Sequence, residues 1–334
     1  MPKTYLMKKL LKYLLILIVT QSYGQELNLP VFTQYLADND FVVSPTFAGI
    51  GDNFRIRLNG LTQWVGIKNA PQNMALYADI RIANRSGVGI SAFSDRNGNT
   101  RQQGVKFSFA HHLILDYKSR QYLSLGLSYN VNSFRIAIEN FNTTYENPTI
   151  DPSVTDDRGI VNHNFDIGAL YRIKEFWLSA NANNILLKDI DSFSDVEPNS
   201  LLNFQFYTGY VIKTSNHAEV EPSAFIQYFT SDGRSSTDIN FKYRKYNRDN
   251  DFYWIGASYR FLNDQIMTPL NVGPMAGLKK SVFYISYAYQ LTLNDLTGYN
   301  SGTHAITIGV DLFQSISDCP CTEGKYKKGN KLYQ

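Results

Sequence analysis

The feature that most constrains this chain is an alternation of apolar and polar residues that recurs many times along it. In the stretch 121–131, every second residue from Leu123 to Val131 is apolar or aromatic, and the residues between them are serine, glycine and asparagine. A period of two places successive side chains on opposite faces of a β-strand. After the N-terminus, no segment of helical length keeps the period of an amphipathic helix. The sequence therefore predicts an all-β protein.

The same alternation returns at 74–82, 165–173 and 306–312. A water-soluble β-sandwich would also show it, because its strands have one buried and one solvated face. The connections favour a transmembrane barrel, which has short periplasmic turns and longer extracellular loops. Short connections are expected at 83–86, 116–120, 173–175, 213–216 and 247–250, and longer ones at 94–101, 135–162, 183–200 and 230–235. We therefore predict an antiparallel transmembrane β-barrel.

The number of strands depends on one ambiguous segment. Two periplasmic chain ends require an even number of strands, and residues 266–277 must then form a strand although they contain Pro269 and Pro274. Proline cannot donate a hydrogen bond to a sheet, which makes this strand the weakest assignment. Counting it gives a barrel of about 14 strands over residues 54–313, with an uncertainty of about two strands. The last strand is predicted at Thr303–Phe313.

The two ends of the chain lack the strand pattern. Lysines within residues 1–12 precede an apolar run at 13–19 and the small residues Ser22 and Gly24. This is the layout of a cleavable export signal, and the run is much shorter than the ~20 residues of a membrane-spanning helix. We predict a signal peptide at 1–24, a periplasmic or lumenal segment at 25–53, and a C-terminal tail at 314–334 that hangs in the periplasm.

Composition supports the barrel and excludes other classes. Aromatic residues make up 14% of the chain, which suits a barrel wall with rings at both membrane interfaces. The net charge of +3 is small and dispersed, so a nucleic-acid partner is not expected. Membrane lipid is the partner that this composition favours.

We predict no catalytic, cofactor-binding or metal-binding residues. The histidines are scattered apart from the neighbours His111 and His112, and none has a metal-ligand spacing. An outer-membrane hydrolase would need a serine and an orienting carboxylate or amide beside one of these two, and the sequence does not select any. Gly87 and Gly89 lie in an alternating strand and are expected to be strand glycines. Cys319 and Cys321 are too close for the usual redox motif, and their oxidation state is left open.

The region 30–71 is unusually dense in Gln, Tyr, Trp, Pro and Gly. A simple pore has little need of such a segment. Phe32, Tyr35 and Phe41 could fill the periplasmic end of the lumen, or the region could bind a partner. Both interpretations remain open on the sequence alone.

Short motifs lie at both ends of the mature chain. They comprise a Pro-x-aromatic-Thr-Gln-Tyr opening at 30–35, a Pro-x-Phe-Ala-Gly block at 45–49, a Gln-Trp, Gly, Ala-Pro block at 63–71, and a closing strand and loop with Tyr287, Tyr289, Tyr299, Gly302 and His304. These motifs resemble the PorP/SprF family of outer-membrane proteins of type IX secretion and gliding systems. The resemblance extends over almost all of the mature chain.

The resemblance implies a non-enzymatic barrel that supports the export or surface anchoring of a large, adhesin-like secreted protein with a type IX C-terminal domain. It also implies contact with periplasmic lipoprotein components of the secretion machine. The partner-binding residues suggested by the motifs and the long polar loop are Phe32, Gln34, Tyr35, Pro45, Gly49, Trp64, Tyr145 and Tyr299. The alternative function is an outer-membrane channel for uptake or diffusion of a small solute, since a barrel of this size is wide enough to pass one.

Overall fold

The computed structural model describes residues 39–51, 54–136, 159–187, 201–247, 251–265, 267–293, 295–313 and 319–323. These residues form a single antiparallel sheet. Its strands are β1 Phe54–Thr62, β2 Gln72–Ala83, β3 Ser86–Asn97, β4 Thr100–Asp116, β5 Gln121–Ile136, β6 Gly159–Ile173, β7 Phe176–Asn183, β8 Asn203–Tyr210, β9 Ile212–Ser215, β10 Ala218–Phe229, β11 Ser235–Tyr246, β12 Phe252–Leu262, β13 Thr268–Lys280, β14 Phe283–Thr292 and β15 Thr303–Leu312.

The sheet closes on itself. Each strand pairs with its sequence neighbour, and β1 pairs with β15 in register from Phe54–Leu312 to Thr62–His304. β8 and β9 are two parts of one wall strand, interrupted at Val211, and both pair with β10. The wall therefore has 14 strands and no open side, which confirms the predicted fold class and strand number.

Within the ranges given above, helical structure is limited to short 3₁₀ turns at Asp40–Val42, Pro45–Phe47, Asp295–Tyr299 and Pro320–Thr322. Among the described residues, no helix is both long and apolar enough to cross a membrane.

The alternation in the sequence sets the two faces of the wall. On β5, Leu125 and Leu127 are 48% and 49% exposed on the outer face, whereas Ser124 and Ser128 are buried on the inner face. The other strands with this pattern behave in the same way, for example Ile306 and Ile308 outside and Thr307 inside. A belt of apolar side chains outside and a polar lining inside is the arrangement of a membrane-spanning barrel.

The two ends of the barrel differ in their connections. Short turns join β2 to β3, β4 to β5, β6 to β7, β9 to β10, β11 to β12 and β13 to β14 at one end, which we call periplasmic. The strand ends that flank the longer connections 137–158 and 188–200 lie at the opposite, extracellular end. Only Gly98 and Asn99 join β3 to β4 at that end, so the longer loop expected at 94–101 is wrong. The segment with Pro269 and Pro274 does form a strand. Its register with β12 shifts between Arg260 and Phe261, which pair with Asn271 and Pro269 and leave out one residue of β13.

Candidate functional site: a plugged lumen with two distinct ends

The inner face of the barrel carries opposite charges that pair between neighbouring strands or across one intervening strand. Arg57 donates to Asp311 with an N–O distance of 2.7 Å, and Arg260 donates to both oxygens of Asp238. These charges are almost completely buried, and a buried charge is tolerated only when it is paired and hydrogen-bonded. Further pairs are Arg55–Asp79, Lys106–Asp166, Arg244–Glu219, Lys242–Glu221 and Lys279–Asp311. The lining is therefore polar, and ion pairs link its strands to one another.

Residues 39–51, which we call the plug, lie inside the lumen at its periplasmic half. Glycines of the wall make the space for it. A Cβ at Gly87 would lie 2.2 Å from the carbonyl oxygen of Ala48, and a Cβ at Gly126 would lie 2.7 Å from the amide nitrogen of Thr46. Any other residue at these positions would collide with the plug backbone. The two wall glycines are therefore required for the plug to seat.

The apolar side chains of the plug form one cluster with the wall. Phe41 and Phe47 are buried against residues that include Trp177, Tyr207 and Phe225. Burial of large apolar side chains is the main favourable term holding such a segment in place. Phe41 is thus part of the buried cluster inside the barrel. Phe32 and Tyr35 lie outside the described residues.

Hydrogen bonds from three buried wall residues hold the plug backbone. The Asp79 carboxylate accepts a bond of 3.0 Å from the amide of Gly49, whose φ is +74°, and Arg81 donates to the carbonyl of Gly49 at 3.2 Å. His112 Nε2 donates to the carbonyl of Ala48 at 3.0 Å. Because a carbonyl only accepts, we assign the proton to Nε2. The plug is held by directional bonds as well as by apolar contact.

The tail is partly folded into the same end of the barrel. Residues 319–323, which we call the tail loop, are closed by a disulfide between Cys319 and Cys321. Cys321 and Thr322 are fully buried, and the amide of Gly51 donates to the carbonyl of Thr322 at 2.8 Å. Plug and tail loop therefore contact each other directly.

The tail was expected to hang in the periplasm, and these five residues of it pack against the periplasmic end of the barrel. Arg172, buried in β6, donates to the carbonyl oxygens of Cys321 and of Glu323, the latter at 3.0 Å. Arg81 donates to the carbonyl of Thr322 at 3.1 Å. Backbone carbonyls satisfy buried guanidinium groups, and a sequence without strand pattern does not reveal this role. Residues 314–318 and 324–334 lie outside the described part.

The structure separates the predicted partner-binding residues into three groups. Pro45 and Gly49 belong to the plug at the periplasmic half, and Pro45 is buried there. Trp64 and Tyr299 lie in neighbouring extracellular loops, which are joined where the amide of Val65 donates to the carbonyl of Gly302 at 3.0 Å. Tyr299 is 76% exposed. The remaining predicted residues, Phe32, Gln34, Tyr35 and Tyr145, lie outside the described residues.

A lining of side-chain amides was not singled out from the sequence. It covers the extracellular half of the lumen on five consecutive wall strands, β5, β6, β7, β8 and β10, and comprises Asn130, Asn132, Asn162, Asn164, Asn181, Asn183, Asn203, Gln205 and Gln227. Some of these amides bond to each other, as Asn183 does to Asn203 at 3.1 Å. The sequence signal for this lining is the recurrence of Asn and Gln at the inward-facing alternate positions of several strands.

The histidines do not form a catalytic arrangement in the described part of the chain. His111 Nδ1 and Ser86 Oγ are 2.9 Å apart on the exposed outer wall, and no orienting carboxylate or amide on His111 is found there. His112 and Ser124 are buried inside, where Nε2 is already bonded to the plug. Among the described residues, no group of three or more potential ligands could hold a metal ion.

Comparison with solved structures shows the same kind of fold. The monoaromatic hydrocarbon channel CymD matches with a TM-score of 0.53 and 11% identity, covering 88% of this chain and 95% of CymD. The toluene transporter TbuX of Ralstonia pickettii matches with a TM-score of 0.46 and 10% identity, covering 87% of this chain and 95% of TbuX. At such identities the likeness to CymD is one of fold alone. A search of curated proteins found no match.

The family model for the type IX secretion system membrane protein PorP/SprF matches residues 24–310. That range includes the plug and nearly all of the closed barrel described above. The chain therefore belongs to the PorP/SprF family of type IX secretion system membrane proteins.

Proposed function

We propose that this outer-membrane barrel supports the export or surface anchoring of a large secreted protein with a type IX C-terminal domain, as a platform and not as the conduit. The observation that carries this proposal is the occupied periplasmic half of the lumen. Plug and tail loop contact each other there, and both bind the wall. Membership of the PorP/SprF family associates the barrel with the type IX secretion system.

Passage of a polypeptide through this lumen would first require removal of the plug. That step breaks the bonds of Asp79, Arg81 and His112 to the plug backbone and exposes the cluster around Phe41 and Phe47. Leaving such buried partners unsatisfied is costly. Contact with the secreted partner is therefore assigned to the extracellular end, where the longest connections are.

At that end, three features support partner contact. The connection 137–158 contains Tyr145 and is rich in Asn and Thr, as a polar recognition loop would be. Trp64 and the exposed Tyr299 lie in adjoining loops. Aromatic residues on exposed loops are common anchors in protein interfaces.

The test is isolation of the tagged protein from its native outer membrane in gentle detergent, followed by mass spectrometry of the proteins that accompany it. A large secreted protein with a type IX C-terminal domain is the expected companion. Repeated preparations without a companion would contradict the proposal. Solute-dependent conductance of the purified barrel in planar bilayers would then support the channel alternative.

The contact site is tested by replacing 137–158 with a short Gly-Ser linker. We expect the companion to be lost while the barrel remains inserted, as judged by heat-modifiable migration on gels. The matched control is the same replacement of 188–200, which should leave the companion bound. The opposite result would move the contact to the second loop.

A further inference from the structure

A small pocket, partly open to solvent, lies at the periplasmic mouth between the wall and the tail loop. Arg172 and Trp177 line it from the inner wall, Arg120 and Lys174 line it from two short turns, and Glu323 lines it from the tail loop. Both wall residues are buried on the inner face. The pocket therefore belongs to the mouth of the lumen and not to the lipid-facing surface.

The pocket has an excess of positive charge, because Arg120, Arg172 and Lys174 line it together with only two carboxylates, those of Glu175 and Glu323. Arg172 is 7% exposed, and its two terminal nitrogens bond only to the carbonyls of Cys321 and Glu323. Its Nε is buried without a hydrogen-bond partner. In the described part of the chain, neither Arg172 nor Lys174 forms an ion pair, whereas Arg120 pairs with Glu175 at 3.3 Å. A buried guanidinium without a direct ion pair, in a pocket with excess positive charge, favours an anionic ligand.

The backbone beside this pocket offers a free strand edge. The last residue pair between β7 and β8 is Phe176 with Tyr210, after which the amide of Val211 donates to the carbonyl of Glu175 at 3.1 Å. β9 continues beyond this point, and among the strands that the structure describes it pairs only with β10; all four of its residues are exposed. Its other edge faces the turn that carries Lys174. An unpaired edge of this kind is a template for an added strand.

From these two features, we infer that the periplasmic mouth binds an extended peptide segment that pairs with the free edge of β9 and places a carboxylate side chain in the pocket beside Arg172 and Lys174. An added strand would lie about 4.8 Å from β9, in line with β7. Alternate side chains of that strand face the lumen side, where the pocket opens. This site lies at the opposite end of the barrel from the proposed partner contact and does not depend on it.

The strand edge is the reason to prefer a peptide over a phosphate or lipid headgroup. A phosphate could use the guanidinium and ammonium groups of the pocket but not the amides and carbonyls of β9. An extended peptide uses both, since its backbone offers the same alternating donors and acceptors. An acidic side chain then provides a direct ion pair for the excess positive charge.

The test measures fluorescence anisotropy of labelled peptides with the full-length protein in lipid nanodiscs. The probe is a seven-residue peptide of alternating Thr and Val with one central Glu. A Gln version removes the carboxylate. Two further versions carry backbone N-methyl groups on one or the other set of alternate residues, and each blocks one edge of the peptide.

We expect the Glu peptide to bind about tenfold more tightly than the Gln peptide, and only one of the two N-methyl versions to lose binding. Lys174→Glu should weaken the Glu peptide by about tenfold or more, whereas Lys118→Glu, on a neighbouring turn but outside the pocket, should not. Arg172 is left intact because it holds the tail loop.

Equal binding of the Glu and Gln peptides would overturn the proposal. It would also be overturned if both N-methyl versions bound like the parent peptide. Displacement of the peptide by inorganic phosphate or glutarate alone at similar concentration would assign the pocket to small anions and contradict a strand-pairing ligand.

Discussion

The seating of the plug depends on the absence of a side chain at Gly87, and this dependence can be tested by Gly87→Ala. The added methyl group would lie 2.2 Å from the oxygen and 2.6 Å from the carbon of the Ala48 carbonyl, and 2.7 Å from Cα of Gly49. All three atoms are backbone, so no rotamer change relieves the contact. Either the plug or the strand must move by about 1 Å to reach ordinary contact distance.

The expected cost follows from the overpacking. Added atoms in a close-packed site destabilise it by about 1–3 kcal/mol. If the wall holds its position, this free energy falls on the seated plug alone. The ratio of unseated to seated plug should then rise by about 5- to 150-fold.

The assay is alkylation of a reporter cysteine in the plug by a membrane-impermeant maleimide. Thr46→Cys is suitable because Thr46 is fully buried and similar in size to cysteine. When the plug reseats faster than the reagent reacts, the rate of alkylation reports the unseated population. The rate should rise by about 5- to 150-fold in Gly87→Ala.

The matched control is Gly60→Ala, also in a wall strand. A Cβ there would meet one atom, Ile306 Cγ2, at the ordinary distance of 3.7 Å. Equal alkylation rates in the two variants, with both barrels folded on heat-modifiable gels, would refute the argument that Gly87 seats the plug. Conductance that appears only in Gly87→Ala would show that the plug also closes a pore.

Three further predictions concern the wall, the plug and the tail loop. Leu127→Arg, in the middle of the apolar face of β5, should lower the free energy of unfolding by ~2–4 kcal/mol in urea titrations in lipid vesicles. The control Leu115→Arg, near the periplasmic rim, should lower it by only ~0–1 kcal/mol. Equal costs would contradict the assigned membrane depth. His112→Ala leaves a buried plug carbonyl unsatisfied and should cost ~1–3 kcal/mol in the same titration, and an unchanged midpoint would refute its role. The native protein should bind maleimide only after reduction, at Cys319 and Cys321, and labelling without a reductant would contradict the disulfide.

Much of the fold could be predicted because it depends on local geometry. The alternation around Leu125 and Ser124 assigns each residue to a face of its strand, and both assignments are confirmed. The strand containing Pro269 was recovered only by requiring an even number of strands. The lateral pairing of β1 with β15 cannot be read from either strand alone, since it follows from closure of the whole sheet.

The candidate site was less accessible from sequence. Pro45 and Gly49 were recognised as part of a distinctive motif, but their position against the wall was not predictable. The surface that holds this motif comes from distant parts of the chain, such as His112, which is 64 residues from Ala48. The burial of the tail loop, which the sequence did not predict, likewise depends on Arg172, 149 residues from Cys321.

The sequence by itself therefore determined what a period of two can encode: an all-β chain, the lipid-facing and lumen-facing side of each strand, and motifs that indicated the family. Only the tertiary structure decided that the plug and tail loop meet inside the barrel. It also placed the free edge of β9 beside the pocket with Arg172 and Lys174. The physical reason is that a strand's faces follow from its own backbone geometry, whereas these contacts join residues far apart in the chain, which closure of the barrel brings within bonding distance.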